Sequence, residues 1–210
     1  MFNKIFNIGL PKTGTKSLSK ALNILGLKSL HNPRVFREKS FEGVYGYNNG
    51  DWQAICNLSE HYYPQLDKAY PGSKFILTVR EINSWLKSLE GEFGDTKGNE
   101  RLPILSAGIS WYSPTAIKKV LKRILGKEKN DLNMLTRLQI FGAFKVSPER
   151  YAYVYQLHYK NALEYFKDRP HDLLIMDVAG GDGWEKLCAF LEVQEIPSVP
   201  FPHVKLDKDK

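Results

Sequence analysis

The residues best suited to chemistry lie in a short polar loop near the amino terminus. Residues 9–17 read Gly-Leu-Pro-Lys-Thr-Gly-Thr-Lys-Ser and lie between an apolar run and a segment with apolar residues at helical spacing. A loop between a strand and a helix is the context that a phosphate loop requires, because the first N–H groups of the helix and its dipole face the anion. The loop therefore predicts a site for a phosphate-bearing ligand.

The loop offers positive charge, hydroxyl groups and a glycine at closely spaced positions. Two lysines supply charge, and three hydroxyl side chains can donate hydrogen bonds to phosphate oxygens. Lys12 is the expected cationic anchor of the loop. The candidate ligand-binding residues are Lys12, Thr13, Gly14, Thr15, Lys16 and Ser17.

The loop is close to a Walker A sequence but differs from it at one position. Walker A has Gly-Lys followed by Ser or Thr, whereas Thr15 stands between Gly14 and Lys16 here. The strand predicted over 75–79 is followed by Arg80, where a magnesium site would need a carboxylate. Both features argue against a P-loop kinase or nucleotide hydrolase. A non-catalytic nucleotide-binding module is a further alternative.

The surrounding pattern places the loop in a parallel α/β sheet. Apolar and β-branched runs predict strands over 4–8, 27–31, 51–57, 75–79 and 173–176. Helical spacing predicts helices over 62–70, near 85–89, within 116–142, over 148–166 and over 184–191. The chain opens strand–loop–helix–strand, and such a βαβ unit favours parallel strands.

Two motifs carry a resemblance to a known family. Residues 11–15, Pro-Lys-Thr-Gly-Thr, resemble the 5′-phosphosulfate loop of sulfotransferases that use 3′-phosphoadenosine 5′-phosphosulfate (PAPS). Arg80 and Ser88, which lie eight positions apart, resemble the pair that binds the 3′-phosphate of PAPS in that family. Residues 70–80, Gly183-Trp184 and Phe201-Pro202-His203 are similar to a small bacterial-type subgroup.

The resemblance implies the fold, the activity and the site. The implied fold is a three-layer α/β fold of the P-loop NTPase type, with a central, mostly parallel five-stranded sheet flanked by helices. Residues 1–210 would form one sulfotransferase domain, in which 92–145 are a mainly helical insertion on the acceptor side. The implied reaction moves a sulfuryl group from PAPS to a hydroxyl or amine of a small molecule or glycan. No metal is expected.

Two positions depart from the family pattern. Familiar members have an aromatic residue at the place of Ser17, where it stacks on adenine, so Trp52 or Tyr153 would have to supply that contact. The subgroup tends to have Asn after Phe-Pro-His, where this chain has Lys205. Contacts of the tail with PAPS therefore stay open.

Sulfuryl transfer needs one group for the leaving oxygen and another for the acceptor's proton. Lys12 suits the first role, because negative charge develops on the leaving oxygen. His31 suits the second, since it follows a predicted strand at the edge where parallel-sheet sites form; the alternative is a histidine that packs a loop. Asp51 and His158 are further candidates for the base, and His158 could equally be a core residue. Structural roles are expected for His61, His171 and His203.

Net charge and hydropathy indicate what kind of ligand the protein binds and where in the cell it is expected. The formal net charge is +7, which suits a protein that binds anions. No segment approaches the roughly 18 apolar residues of a membrane helix, and the two cysteines form no metal-ligand spacing. These features predict a cytoplasmic protein without a nucleic-acid motif. The basic stretch 118–127 allows peripheral contact with a membrane surface or an anionic acceptor, and a solvated helix face is the simpler interpretation.

Overall fold

The computed structural model describes residues 3–33, 36, 51–57, 60, 62–93, 137–143 and 147–204. They belong to two units, one made of residues 1–85 with 155–210 and the other of residues 86–154. Most of the predicted insertion at 92–145 lies outside the described residues, as do the basic stretch 118–127, His61 and Lys205. The predicted site residues other than Ser88 belong to the first unit.

Five short apolar strands form one sheet in the first unit. They are β1 Ile5–Asn7, β2 Ser29–His31, β3 Ala54–Cys56, β4 Lys74–Thr78 and β5 Leu173–Met176. Their order across the sheet is β2-β3-β1-β4-β5, and every neighbouring pair is parallel. The predicted five-stranded, mostly parallel sheet is therefore confirmed, and all of its pairs are parallel. Strand β1 lies at its centre, and residues 9–17, called the phosphate loop after the ligand that the sequence predicts, follow directly after β1.

Helices cover both faces of this sheet. The described residues contain α1 Thr15–Ile24, α2 Tyr63–Ala69, α3 Ile82–Phe93, α4 Pro148–Tyr165 and α5 Trp184–Leu191, of which α1, α2, α4 and α5 have residues that pack on the sheet. Leu18 of α1 and Leu187 of α5 pack in the core on one face, whereas Leu66 of α2 and Ala162 of α4 pack on the other. The predicted three-layer α/β architecture is confirmed.

Alternation along the strands decides which side chains lie beneath the phosphate loop. Ile5 packs in the core on the α1 side, and Phe6 packs on the opposite side. Asn7 therefore faces the α1 side, where it is fully buried. Ile76 packs on that side too, so Thr78 at the end of β4 also faces it. Two polar side chains thus end up together inside the protein, at the carboxyl edge of the sheet.

Trp52, one candidate for stacking on adenine, is a core residue. Its side chain is 2% exposed, and its ring centroid lies 6.1 Å from that of Phe6 and 5.6 Å from that of Tyr70. Lys4 covers the ring, with Nζ 4.3 Å from the centroid. The suggestion that Trp52 contacts a nucleotide is therefore wrong, because its faces are used in packing. Tyr153, the other candidate, is 55% exposed in the second unit.

Candidate active site

The phosphate loop begins in very close contact with β4. A Cβ atom on Gly9 would lie 2.0 Å from Oγ1 and 2.4 Å from the carbonyl oxygen of Thr78. Thr78 is 1% exposed and ends a central strand, so it cannot move aside. The first glycine of the loop is therefore required by packing, and it brings the loop against β4.

Several residues that follow the strands at the carboxyl edge of the sheet have left-handed backbone conformations. Lys12 has φ 72° and Gly14 has φ 99°. Asn32 and Asn57, which follow β2 and β3, have φ values of 53° and 67°. A left-handed conformation at a non-glycine residue costs about 1–2 kcal/mol, and such strain is concentrated at functional sites. The strain at Lys12 therefore supports a functional role for this loop.

A chain of buried hydrogen bonds supports the loop from below. Asn7 Nδ2 lies 3.0 Å from Thr78 Oγ1, which lies 2.7 Å from Thr13 Oγ1. Thr13 Oγ1 lies 2.6 Å from the carbonyl oxygen of Leu10, to which its hydroxyl must donate. Because the Thr13 hydrogen is used in that bond, Thr13 accepts a hydrogen bond from the Thr78 hydroxyl. Thr78 in turn accepts one from Asn7 Nδ2. The Thr13 hydroxyl, which the sequence suggested for the ligand, is instead fully buried and bonded within the protein.

Helix α1 begins without a side-chain cap. Gly14 is its N-cap residue and offers no side chain, and the first bond of the helix runs from Leu18 N to Gly14 O at 3.0 Å. The N–H groups before that bond have no acceptor within the helix. They belong to Thr15, Lys16 and Ser17. These N–H groups, the helix dipole and the Lys16 charge fit a phosphate-bearing ligand.

The tail of the chain contacts this helix start. Ser17 Oγ accepts a hydrogen bond from the N–H of Val204 at 3.0 Å. The tail is held nearby because Phe201 packs edge-on against Trp184, whose Nε1 donates to the carbonyl oxygen of Val199 at 2.7 Å. The buried oxygen of Ser17 therefore has a partner within the protein, which its position in the loop did not suggest.

His31 meets the phosphate loop at Thr15. Its Nε2 lies 3.2 Å from Thr15 Oγ1, at the carboxyl end of β2. Partial burial of the ring, and then the charge of Lys16, lowers the pKa of His31 from its usual 6.5. A lower pKa favours the neutral imidazole at pH 7. In the tautomer whose Nε2 donates to Thr15, Nδ1 is the atom that accepts a proton.

Arg80 reaches the phosphate loop from the end of β4. Its Nη1 donates to the carbonyl oxygen of Lys12 at 3.4 Å, and its Nε donates to Ser84 Oγ at 3.0 Å. A guanidinium has five N–H groups, so most of them stay available for an anion. The two cationic residues that the sequence assigned to different phosphates are thus in direct contact through the Lys12 backbone.

Helix α3 begins beside Arg80 and carries Ser88, the predicted partner of Arg80, and Ser84. The Glu81 carboxylate accepts hydrogen bonds from the N–H groups of Asn83 and Ser84 at 2.8 and 2.7 Å, and these bonds lower the pKa of Glu81. The cap fixes the first turn, and with it the Ser84 hydroxyl that contacts Arg80. Ser88 comes one turn later on the same helix and is half-buried.

The alternative catalytic bases lie in unsuitable surroundings. Asp51 comes before β3, at the amino edge of the sheet, and its hydrogen bond and ion pair with Lys28 lower its pKa. This correction removes Asp51 as a base, because it is at the wrong edge and is a weaker acceptor of protons. His158 is buried, and its Nε2 donates to the carbonyl oxygen of Ile8 at 2.7 Å. It therefore supports the end of β1 as a core residue.

Two aromatic residues that the sequence did not single out as site residues hold the site together. Trp85 Nε1 donates to the carbonyl oxygen of Pro11 at 2.8 Å. Tyr155 contacts the backbone of Arg80, and its ring centroid lies 4.7 Å from that of Trp85. No motif marks Tyr155, because tyrosines recur along the whole of α4. Only the position of the helix against the sheet reveals its role.

The cysteines are structural. Cys56 and Cys188 are both buried and form no disulfide. Burial raises the pKa of the Cys56 thiol to about 12, which keeps it protonated.

Within the part of the chain that the structure describes, no cluster of His, Cys, Asp or Glu is suited to a metal ion. Over the same residues, no helix has the length and apolar character needed to cross a membrane.

The fold and the candidate site define an α/β protein in which a loop and an uncapped helix start follow the central strand of a parallel sheet. The sulfotransferase domain family matches residues 4–209, so the chain belongs to the sulfotransferase family. Among similar proteins is Ava biosynthesis cluster protein M of Aspergillus versicolor, which is 26% identical over 227 residues, covering 96% of this chain and 80% of that protein. The resemblance seen in the sequence is confirmed, and the family supports sulfotransferase activity in general.

Proposed function

We propose that the protein transfers a sulfuryl group from PAPS to a hydroxyl or amine of a small-molecule or glycan acceptor. The observation that carries the proposal is the uncapped start of α1 behind a loop in which Lys12 is held in a left-handed conformation. PAPS supplies an activated sulfuryl group on a phosphate leaving group. The chain has to bind that donor, stabilise the leaving oxygen and accept one proton.

Donor binding is assigned to the loop and to the start of α3. The N–H groups and side chains of residues 12–17 hold the 5′-phosphosulfate, and Lys12 stabilises the charge on the leaving oxygen. Because the Thr13 hydroxyl is bonded to Leu10, Thr13 acts by shaping the loop. Arg80 and Ser88 bind the 3′-phosphate, where a guanidinium can form two parallel hydrogen bonds.

Proton acceptance is assigned to His31. Burial and Lys16 lower its pKa, which favours the neutral ring at pH 7, and its contact with Thr15 orients it toward the loop. A neutral imidazole at this place can take the proton of an acceptor hydroxyl or amine as the new bond to sulfur forms.

The same proposal covers the organisation of the protein. We infer one sulfotransferase domain over residues 1–210, in which residues 92–145 form the acceptor side. We also infer a cytoplasmic location and an acceptor other than nucleic acid.

Thermal stabilisation by nucleotides tests the proposal against a kinase. Adenosine 3′,5′-bisphosphate at 100 times its dissociation constant should stabilise the folded protein by about 2.7 kcal/mol without magnesium. ATP with magnesium should stabilise it less at the same concentration, since Arg80 stands where a magnesium site would need a carboxylate and the Glu81 carboxylate is bonded to the start of α3. A larger shift with ATP and magnesium would favour a kinase or hydrolase. Transfer from labelled PAPS to a panel of alcohols and amines then identifies the acceptor.

Arg80→Ala should weaken binding of PAPS selectively. We expect a loss of about 1.5–3 kcal/mol, the range for a hydrogen bond to a charged group, and almost no change for adenosine 5′-phosphosulfate, which lacks the 3′-phosphate. Calorimetric titration of both ligands measures the difference. The matched control is Arg169→Ala, which removes an arginine bound to Asp67 and should change neither affinity. Equal losses for the two ligands in Arg80→Ala would show that Arg80 acts only on the fold.

A further inference from the structure

We propose that Tyr155 is the positioning residue of the 3′-phosphate subsite, because its hydroxyl fixes the backbone of Arg80. The inference rests on the proposed function, in which Arg80 binds the 3′-phosphate. It assigns to α4 a part in donor recognition that neither the loop motif nor the Arg80–Ser88 spacing indicates.

Arg80 occupies the gap between a strand and a helix. The N–H of Val79, just past the end of β4, donates to the carbonyl oxygen of Met176 at 2.9 Å. The carbonyl oxygen of Glu81 accepts the first bond of α3, from Trp85 N at 2.8 Å. The backbone of Arg80 therefore belongs neither to the sheet nor to the helix, and its two polar groups need partners from elsewhere.

One hydroxyl supplies both partners. Tyr155 Oη accepts a hydrogen bond from the Arg80 N–H at 2.9 Å and donates to the Arg80 carbonyl oxygen at 2.8 Å. Burial raises the pKa of Tyr155, so the hydroxyl keeps the proton that it donates. Phenylalanine would leave both backbone groups of Arg80 without these bonds while preserving the ring.

The ring of Tyr155 makes a separate contact that a phenylalanine would keep. It packs on Trp85 with 4.7 Å between ring centroids, and Trp85 Nε1 donates to Pro11 in the phosphate loop. The hydroxyl therefore acts on Arg80, whereas the ring acts through Trp85 on the loop. This division allows the two effects to be separated by substitution.

Tyr155→Phe should reduce the preference of the protein for a ligand with a 3′-phosphate. We expect the ratio of affinities for adenosine 3′,5′-bisphosphate and AMP to fall about 3- to 10-fold, as the loss of a backbone anchor predicts. Titration calorimetry with each nucleotide gives the ratio. Trp85→Phe, which removes the bond to Pro11, should weaken the binding of both nucleotides.

The matched control is Tyr165→Phe, on the same helix. Its hydroxyl donates to Asp67 Oδ2 at 2.8 Å, and its loss should leave the ratio unchanged. If the ratio of affinities for the bisphosphate and AMP were the same in Tyr155→Phe as in Tyr165→Phe, the inference would be overturned. A wild-type protein that does not prefer the bisphosphate over AMP would overturn the proposed function, and the inference with it.

Hydrogen exchange of the wild-type protein tests the same inference without depending on the variant. The Arg80 amide should be protected before any nucleotide is added, because Tyr155 already accepts its hydrogen bond. Exchange of this amide at the rate of an exposed loop would overturn the inference. Protection in the wild type, lost in Tyr155→Phe and retained in Tyr165→Phe, would support it.

Discussion

Lys12→Ala is expected to lower turnover about 10²–10³-fold, the usual loss when a donor to the developing charge is removed. Affinity for adenosine 3′,5′-bisphosphate should change far less, because that interaction strengthens only in the transition state. Alanine keeps the left-handed strain that lysine already bears at φ 72°, so the substitution removes the ammonium group without adding backbone cost. Transfer from labelled PAPS measures the turnover rate, and calorimetric titration measures the affinity for adenosine 3′,5′-bisphosphate.

Lys20→Ala is the matched control for this experiment. Lys20 is an exposed lysine on α1, the helix that follows the loop, and its loss changes the net charge by the same amount. Turnover of Lys20→Ala should stay near the wild-type value. If Lys12→Ala also stayed within about threefold of wild type, Lys12 would have no role in stabilising the leaving oxygen.

His31→Ala should lower turnover about 10²–10⁴-fold while leaving the binding of PAPS intact, which is the usual range for loss of a general base. The wild-type rate should rise with pH through an apparent pKa below 6.5, because burial and Lys16 lower the pKa of His31 and only the neutral ring accepts a proton. Rate profiles between about pH 4.5 and 8 measure this rising part of the pH–rate profile, the acidic limb. His31→Ala should lose it.

Two further variants test the assignment of that limb. Lys16→Ala should move the limb to higher pH, since the Lys16 charge helps to lower the His31 pKa. His171→Ala removes an exposed histidine from the turn Pro170–Asp172 and should leave both the rate and the limb unchanged. A His31→Ala protein that kept the limb and most of its rate would place the base elsewhere.

The fold could be predicted well because its signals are local. Short β-branched and apolar runs such as 75–79 are long enough for a strand and too short for a helix, and they alternate with segments of helical spacing. The observed strand ends differ from the predicted ones by a few residues, since the run predicted over 51–57 forms a strand only at Ala54–Cys56. Trp52 was misjudged because an aromatic residue suits a core as well as a ligand, and sequence does not distinguish the two.

The candidate site was predicted in its position but only partly in its contacts. The loop, His31 and Arg80 do lie at the carboxyl edge, and Thr15 and the Lys12 carbonyl connect them. The direction of a hydroxyl is set by tertiary partners, so the sequence could not show that Thr13 points inward. The role of Tyr155 depends on packing between segments 75 residues apart, which no local pattern encodes.

The bonds from Asn7 through Thr78 to Thr13 fix the shape of the phosphate loop before a ligand arrives. Ordering a residue costs about 1–2 kcal/mol of conformational entropy, and here that entropy is lost when the chain folds. The loop is therefore preorganised, and under the proposed function little of the donor's binding free energy would be spent on ordering it. A donor held by such a loop takes the same orientation for every acceptor. Differences in rate between acceptors should then reflect how each acceptor is positioned, not how the loop rearranges.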